Sequence, residues 1–216
     1  MQLRSTVFFL AALIATPALA QQPAGTIDCA GPFALDATEA DLAAAFGSDN
    51  LAFGEVPGPE GSTFNATTVF PNDPERKLII PWRDEAAKKG PSVIVEKPSN
   101  WTGPHGLKVG MPLAEVEKLN GAPFPILGFG WDYGGSAFFR EGNLAPKPGG
   151  CSVSLTFELT QKAYDDPRFQ DLMGDSEFSS SDMLMQEAQP TVSGFFVTWP
   201  AEEVIDGAED EGDSSP

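Results

Sequence analysis

The chain has 216 residues, 41% of them hydrophobic, and 31 acidic against 13 basic side chains give it a formal net charge of −18 at pH 7. So strong a negative charge repels nucleic acid and anionic lipid at long range, which excludes both as principal partners. One histidine and two distant cysteines make a poor metal site and contain no paired redox motif.

Arg4 precedes the apolar stretch "VFFLAALIATPALA", which ends in Ala18-Leu19-Ala20. A positive start, a short apolar run and small residues before the cut are the layout of a secretory signal peptide. The run is shorter than the roughly 20 apolar residues that cross a bilayer. Residues 1–20 are therefore expected to be removed after Ala20, leaving a periplasmic or secreted protein with no integral membrane segment. The mature chain, without Arg4, has 12 basic and 31 acidic residues. Cys29 and Cys151 would meet an oxidising compartment, and their pairing is expected to form a disulfide.

"LDATEADLAAAFGSDN" opens the first predicted element. Thr38 with Asp41 three residues on is a weaker form of the capping box, where Glu or Gln is usual. Leu42, Ala45 and Phe46 form one apolar face and Gly47 is a natural stop, which predicts a helix over about 39–46. So short a helix is unstable alone and must lie on a sheet.

Short β-rich runs follow at 66–70, 77–82 and 92–96, separated by turn-forming clusters such as "PNDPER". Pro81 inside the second run points to an edge strand or a bulge. Arg76, Lys77, Arg83, Lys88, Lys89 and Lys97 are half of the mature chain's basic residues. Lysines on strand edges discourage aggregation, and that reading outweighs a landing site for an acidic partner. His105, in "TGPHGL", is expected on a surface loop.

A second helix is predicted in "GMPLAEVEKLNG". Pro112 suits the first helical position, Leu113, Val116 and Leu119 share a face, and Asn120-Gly121 ends it. Strands are predicted next at 125–129, 136–139 and 151–159, the last with Val153, Leu155, Phe157 and Leu159 alternating with polar residues. Helical turns are expected in "DPRFQDLM" and "DMLMQEA", and a final strand over 191–199. The two helices align without gaps 74 residues apart, Asp41 over Glu115, Leu42 over Val116 and Gly47 over Gly121. The closing stretch 201–216 carries seven acidic residues and no basic one, and is expected to be a disordered, solubilising tail.

The stretch "GFGWDYGG", residues 128–135, is the most unusual in the chain. Its glycines allow close backbone approach, while Phe129, Trp131 and Tyr133 alternate with Asp132 between the rings. Aromatic anchors of this sort serve binding hot spots and small cores alike. Phe129 is assigned to the core; Trp131 and Tyr133 fit either role, and Trp82 and Trp101 would extend either cluster. Trp131, Asp132, Tyr133 and Trp101 are the candidate binding residues. No nucleophile elbow, phosphate loop or zinc-protease helix is present. The spacing of Asp165, Asp166, Asp171 and Asp175 does not match a calcium loop. No catalytic residue, metal ligand or cofactor is assigned.

Gly110-Met111, then Val116, then Leu119-Asn120-Gly121-Ala122-Pro123 resembles a "GM-(S/T)-xxx-V-xx-LLGxP" pattern. That pattern marks a short-helix module shared by outer-membrane assembly lipoproteins of the SmpA/OmlA type and the β-lactamase inhibitor proteins. The resemblance implies a helix preceding an antiparallel sheet, two such modules in tandem as in the inhibitor proteins, and action by binding other proteins rather than by catalysis. Pro112 stands where the pattern has Ser or Thr, and no lipid-accepting cysteine follows the signal peptide, which argues against a membrane-anchored role.

The expected fold is α+β: two related units, each a short helix on an antiparallel sheet, over 21–103 and 104–200. The expected function is non-enzymatic, through contact with an unidentified protein partner. The alternative is a small-ligand-binding protein or hydrolase of the cell envelope whose site the sequence does not display.

Overall fold

The computed structural model describes residues 25–200; the expected signal peptide and acidic tail lie outside the described residues. The fold is α+β, built on one large antiparallel sheet. In chain order the helix α1 spans Glu39–Phe46, followed by strands β1 (Leu51–Pro57), β2 (Thr63–Val69), β3 (Leu78–Ile80), β4 (Trp82–Asp84), β5 (Lys89–Pro91) and β6 (Val93–Glu96). Helix α2 (Leu113–Asn120) then leads to β7 (Pro125–Leu127), β8 (Ser136–Phe138) and β9 (Ser152–Glu158). Helix α3 (Gln161–Tyr164), β10 (Glu177–Ser179), α4 (Met183–Ala188) and β11 (Thr191–Thr198) complete the described residues. Nine strands form the sheet in the order β1-β2-β3-β6-β11-β9-β8-β7-β10, while β4 and β5 make a separate hairpin.

Helix α1 begins where the capping residues place it. The Thr38 N–H and Oγ1 both donate to Asp41 Oδ2 at 2.8 Å, so the box closes with aspartate in place of glutamate. Gly47, at φ +86°, ends the helix by donating its N–H to Ala43 O at 2.9 Å. Helix α2 starts one residue later than expected. Pro112 is extended at ψ 150° and precedes the first helical residue, and left-handed Gly121 caps the end on Glu117 O. Both helices have eight residues, and Glu39 and Phe46 lie 74 positions before Leu113 and Asn120.

Leu42 of α1 and Leu113 and Val116 of α2 enter one core with Leu78, Ile80, Val93, Val95, Leu155 and Phe195 from the sheet. On α2 the buried face takes in Asn120 rather than Leu119, which is only partly covered. On β9 the expected alternation holds, with Val153, Leu155 and Phe157 buried. Pro81 does not mark an edge: β3 lies between β2 and β6 and ends just before the proline, whose carbonyl accepts from the Ser92 N–H at 2.9 Å. Cys29 and Cys151 are bonded, with Cα atoms 5.8 Å apart, tying the start of the described chain to β9 across a sequence separation of 122. Among the described residues no helix is long and apolar enough to cross a membrane.

Candidate functional site

Residues 128–135 form a turn between β7 and β8, not the continuation of a strand. The turn is stapled to the body from both sides. Phe129 exchanges backbone hydrogen bonds with Leu172 and Gly174, each 2.8 Å, and Gly135 O accepts from the Phe157 N–H at 2.8 Å. That closeness demands glycine: a Cβ on Gly135, already at φ +74°, would lie 2.0 Å from Phe157 O. Phe129 is buried beneath the turn, whereas Trp131 and Tyr133 are 39% and 45% exposed. Their ring centroids are 5.4 Å apart with planes at 64°. The Trp131 Nε1–H donates to Gly128 O at 3.0 Å, which fixes the indole, and Asp132, the residue between Trp131 and Tyr133 in sequence, is exposed.

Trp101 does not join them. It is 3% exposed and meets Phe33 and Phe46 edge-on, and its Nε1–H donates to Arg76 O at 2.7 Å. The exposed ring that accompanies the turn is Tyr164 of α3: a Cβ on Gly130 would lie 3.3 Å from its hydroxyl. Sequence pattern did not single out Tyr164, because it lies 31 positions beyond Tyr133 and only the fold brings it near.

A second surface lies on the outer face of the sheet, opposite the core. Paired residues of an antiparallel ladder project to the same side. Here the register carries one row across seven strands: Ala52 faces Thr68, which faces Ile79, then Ile94, Phe196, Ser154 and Phe138. None of Ile79, Ile94, Phe196 and Phe138 belongs to the core cluster that α1 and α2 enter. Phe138 is 51% exposed, Ile94 and Phe196 are half-buried, and Ile79 is buried at 9%. Beside them lies a shallow depression of about 490 Å³ bordered by Ser154, Thr156, Ser193 and the Lys97–Glu158 ion pair. The sequence signal for this row is the doubling of apolar residues in Ile79-Ile80, Phe138-Phe139 and Phe195-Phe196. Successive side chains of a strand point to opposite faces, so each pair places one member outward.

Four of the basic residues of 76–97 are each engaged by a partner of their own. Lys88 Nζ binds Glu39 at 2.7 Å, Arg76 stacks 3.7 Å over the Phe70 ring, and Arg83 donates to Trp199 O at 2.8 Å. Lys97 is held by Glu158. His105 is exposed in the turn Pro104–Gly106. In the aspartate group, Asp165 accepts from Gln161 Nε2 at 3.0 Å, and Arg168 holds the Asp166 carboxyl below its ordinary value through side-chain and backbone hydrogen bonds. Among the described residues no three His, Cys, Asp or Glu side chains converge to hold a metal, and every buried side-chain nitrogen and oxygen has a hydrogen-bond partner. No family model, curated protein or solved structure matches the chain.

Proposed function

We propose that the protein is a non-enzymatic binding protein of the periplasm or the extracellular space that docks a protein partner on the outer face of its sheet. The observation that carries the reading is the run Ile94–Phe196–Ser154–Phe138 of the outer-face row, in which Ile94 and Phe196 are half-buried and Phe138 is 51% exposed. Large side chains on a rigid ladder make anchors with little ordering cost, and the flanking Ser and Thr hydroxyls form a polar rim. The bonded Cys29–Cys151 pair and the leader-like N-terminal sequence support an oxidising compartment.

The same reading includes two related units, over 21–103 and 104–200. After α1 the chain lays down β1, β2 and β3, inserts the β4–β5 hairpin, and returns as β6. After α2 it lays down β7, β8 and β9, inserts α3, β10 and α4, and returns as β11. The two returning strands pair antiparallel at the middle of the sheet. The first unit contributes four members of the outer row and the second three; joined, they extend it across seven strands.

A photo-crosslinking residue at Phe138, compared with one at exposed Met183 on α4, tests the docking face in the envelope of the producing cell. A discrete adduct is expected from position 138 alone, and it should disappear when Phe196→Ser is added. Equal adducts from both positions, or an adduct indifferent to Phe196→Ser, would overturn the assignment.

A further inference from the structure

We propose that the tip formed by Trp131, Tyr133 and Tyr164 is a second contact point, and that it takes a lysine- or arginine-bearing segment of a protein partner. It shares with the outer-face reading only the premise that the protein binds another protein. The faces of aromatic rings attract cations, and a steep angle between neighbouring rings makes a corner that a cationic head can enter. Trp131 and Tyr133 form such a corner, with centroids 5.4 Å apart and planes at 64°. The corner is built before any ligand arrives. The Trp131 indole is pinned to Gly128 O at 3.0 Å, and the turn is held by Leu172, Gly174 and Phe157. The Tyr164 hydroxyl approaches the same turn at Gly130, where a Cβ would lie 3.3 Å from it.

Charge decides which ligand suits the tip. Asp132, between Trp131 and Tyr133 in sequence, is exposed, and Asp165 follows Tyr164 directly, also exposed. Arg168 is closed on Asp166, with Nη2 to Oδ2 at 2.8 Å, so its charge is already balanced, and exposed Lys162 of α3 is outnumbered by the exposed Asp132, Asp165, Asp171 and Asp175. An anionic ligand would be repelled here and by the net charge of −18, whereas a cation is drawn by rings and carboxylates together. A neutral sugar would stack on the rings and hydrogen-bond the carboxylates, but its binding would not weaken with salt, and that difference separates the two ligands experimentally.

Binding of a capped, fluorescein-labelled peptide of alternating Lys, Arg, Gly and Ser to the mature protein, followed by anisotropy, tests the proposal. The Trp131 indole N–H resonance locates the contact. A saturable shift of that resonance is expected, with affinity falling as salt rises. Trp131→Ala should weaken binding by about three- to thirtyfold, the range of a partly desolvated cation–π contact. Asp132→Asn, an exposed change that leaves the turn's backbone bonds in place, should weaken it as well. Equal binding of a peptide with citrulline and acetyl-lysine in place of the basic residues would overturn the proposal. So would a shift of the indole by a chito-oligosaccharide but not by the basic peptide. Phe196→Ser should leave peptide affinity unchanged; if it weakens binding while Trp131→Ala does not, the contact is the outer face and the tip is refuted. Loss of the position-138 crosslink alone counts against the outer face and leaves this result standing.

Discussion

Asn120 and Gly142 touch so closely that a Cβ on Gly142 would lie 2.4 Å from Asn120 Oδ1. That oxygen accepts from the Leu144 N–H at 3.0 Å, and Asn120 Nδ2 donates to Ala122 O at 2.8 Å and Glu141 O at 3.1 Å. One buried amide therefore stitches the end of α2 to the loop that follows β8. Asn120→Leu, which would restore the leucine of the pattern this segment resembles, leaves the Leu144 N–H without its partner and should cost about 1–3 kcal/mol. Gly142→Ala should destabilise too, since its φ of +92° is already left-handed. Urea denaturation checks both: the midpoint should fall while the slope is unchanged.

Thr67 is the centre of a second network. Its hydroxyl accepts from Trp82 Nε1 at 2.9 Å and donates to Glu39 Oε1 at 2.9 Å, and Lys88 Nζ closes the chain at 2.8 Å from the same oxygen. The network fastens α1 to β2 and to the β4–β5 hairpin. Thr67→Val keeps the shape but orphans the indole N–H in a site where Thr67 is fully buried, at a cost of about 1–3 kcal/mol. A smaller midpoint shift than that of Thr67→Val is expected for Lys88→Met, whose partner remains partly solvated.

Helix α1 was legible in the sequence because its signals are local: Thr38, Asp41, Leu42 and Gly47 lie within a few residues of one another. The strand over 151–159 was legible because Val153, Leu155 and Phe157 alternate. Strand β1 was not, since "LAFGEVP" contains a glycine and a proline that read as loop. An edge strand tolerates both, having only one ladder to satisfy. The hairpin around "RDEAAKKG" was hidden by its charge, and β10 by its length of three residues. At the candidate sites, exposure of Trp131 and burial of Trp101 depend on which segments pack against them. The outer row depends on register between strands as distant as β6 and β11. Neither is a property of a local pattern.

Acid should remove part of the support for α1. The Thr38 hydroxyl, and then the Thr38 N–H, hold the Asp41 carboxyl below its ordinary value of 3.8. A depressed native value means that the unfolded chain binds a proton first, so the contribution is complete above the unfolded value and is lost as pH falls through the native one. Asp41→Asn should therefore narrow its stability deficit against the parent protein as pH drops below about 4. Thermal unfolding at pH 7 and at pH 3 measures this, and a deficit of equal size at both would count against the capping role.

The Cys29–Cys151 bond closes a long loop, with a sequence separation of 122. Constraining so long a loop in the unfolded chain is worth about 4–5 kcal/mol at most. Mass spectrometry of the unreduced, alkylated mature protein should find no alkylated thiol. Cys29→Ser with Cys151→Ser should lower the urea midpoint, and a reductant should destabilise the parent protein while leaving that double variant unaffected.

Phe195 and Phe196 provide a direct test of which face is which. They are neighbours on β11, yet Phe195 is buried against Gly103 while Phe196 faces Ile94 and Ser154 on the outer side. Phe195→Ala opens a cavity in the core and should cost about 3–5 kcal/mol. Phe196→Ser removes a half-buried ring that does not enter the core cluster, and should cost less, about 1–2 kcal/mol. If the two substitutions prove equally costly, Phe196 is part of the packed interior and the outer row loses its central anchor. If the predicted difference is found, the phenylalanine that contributes less to stability remains available for a partner.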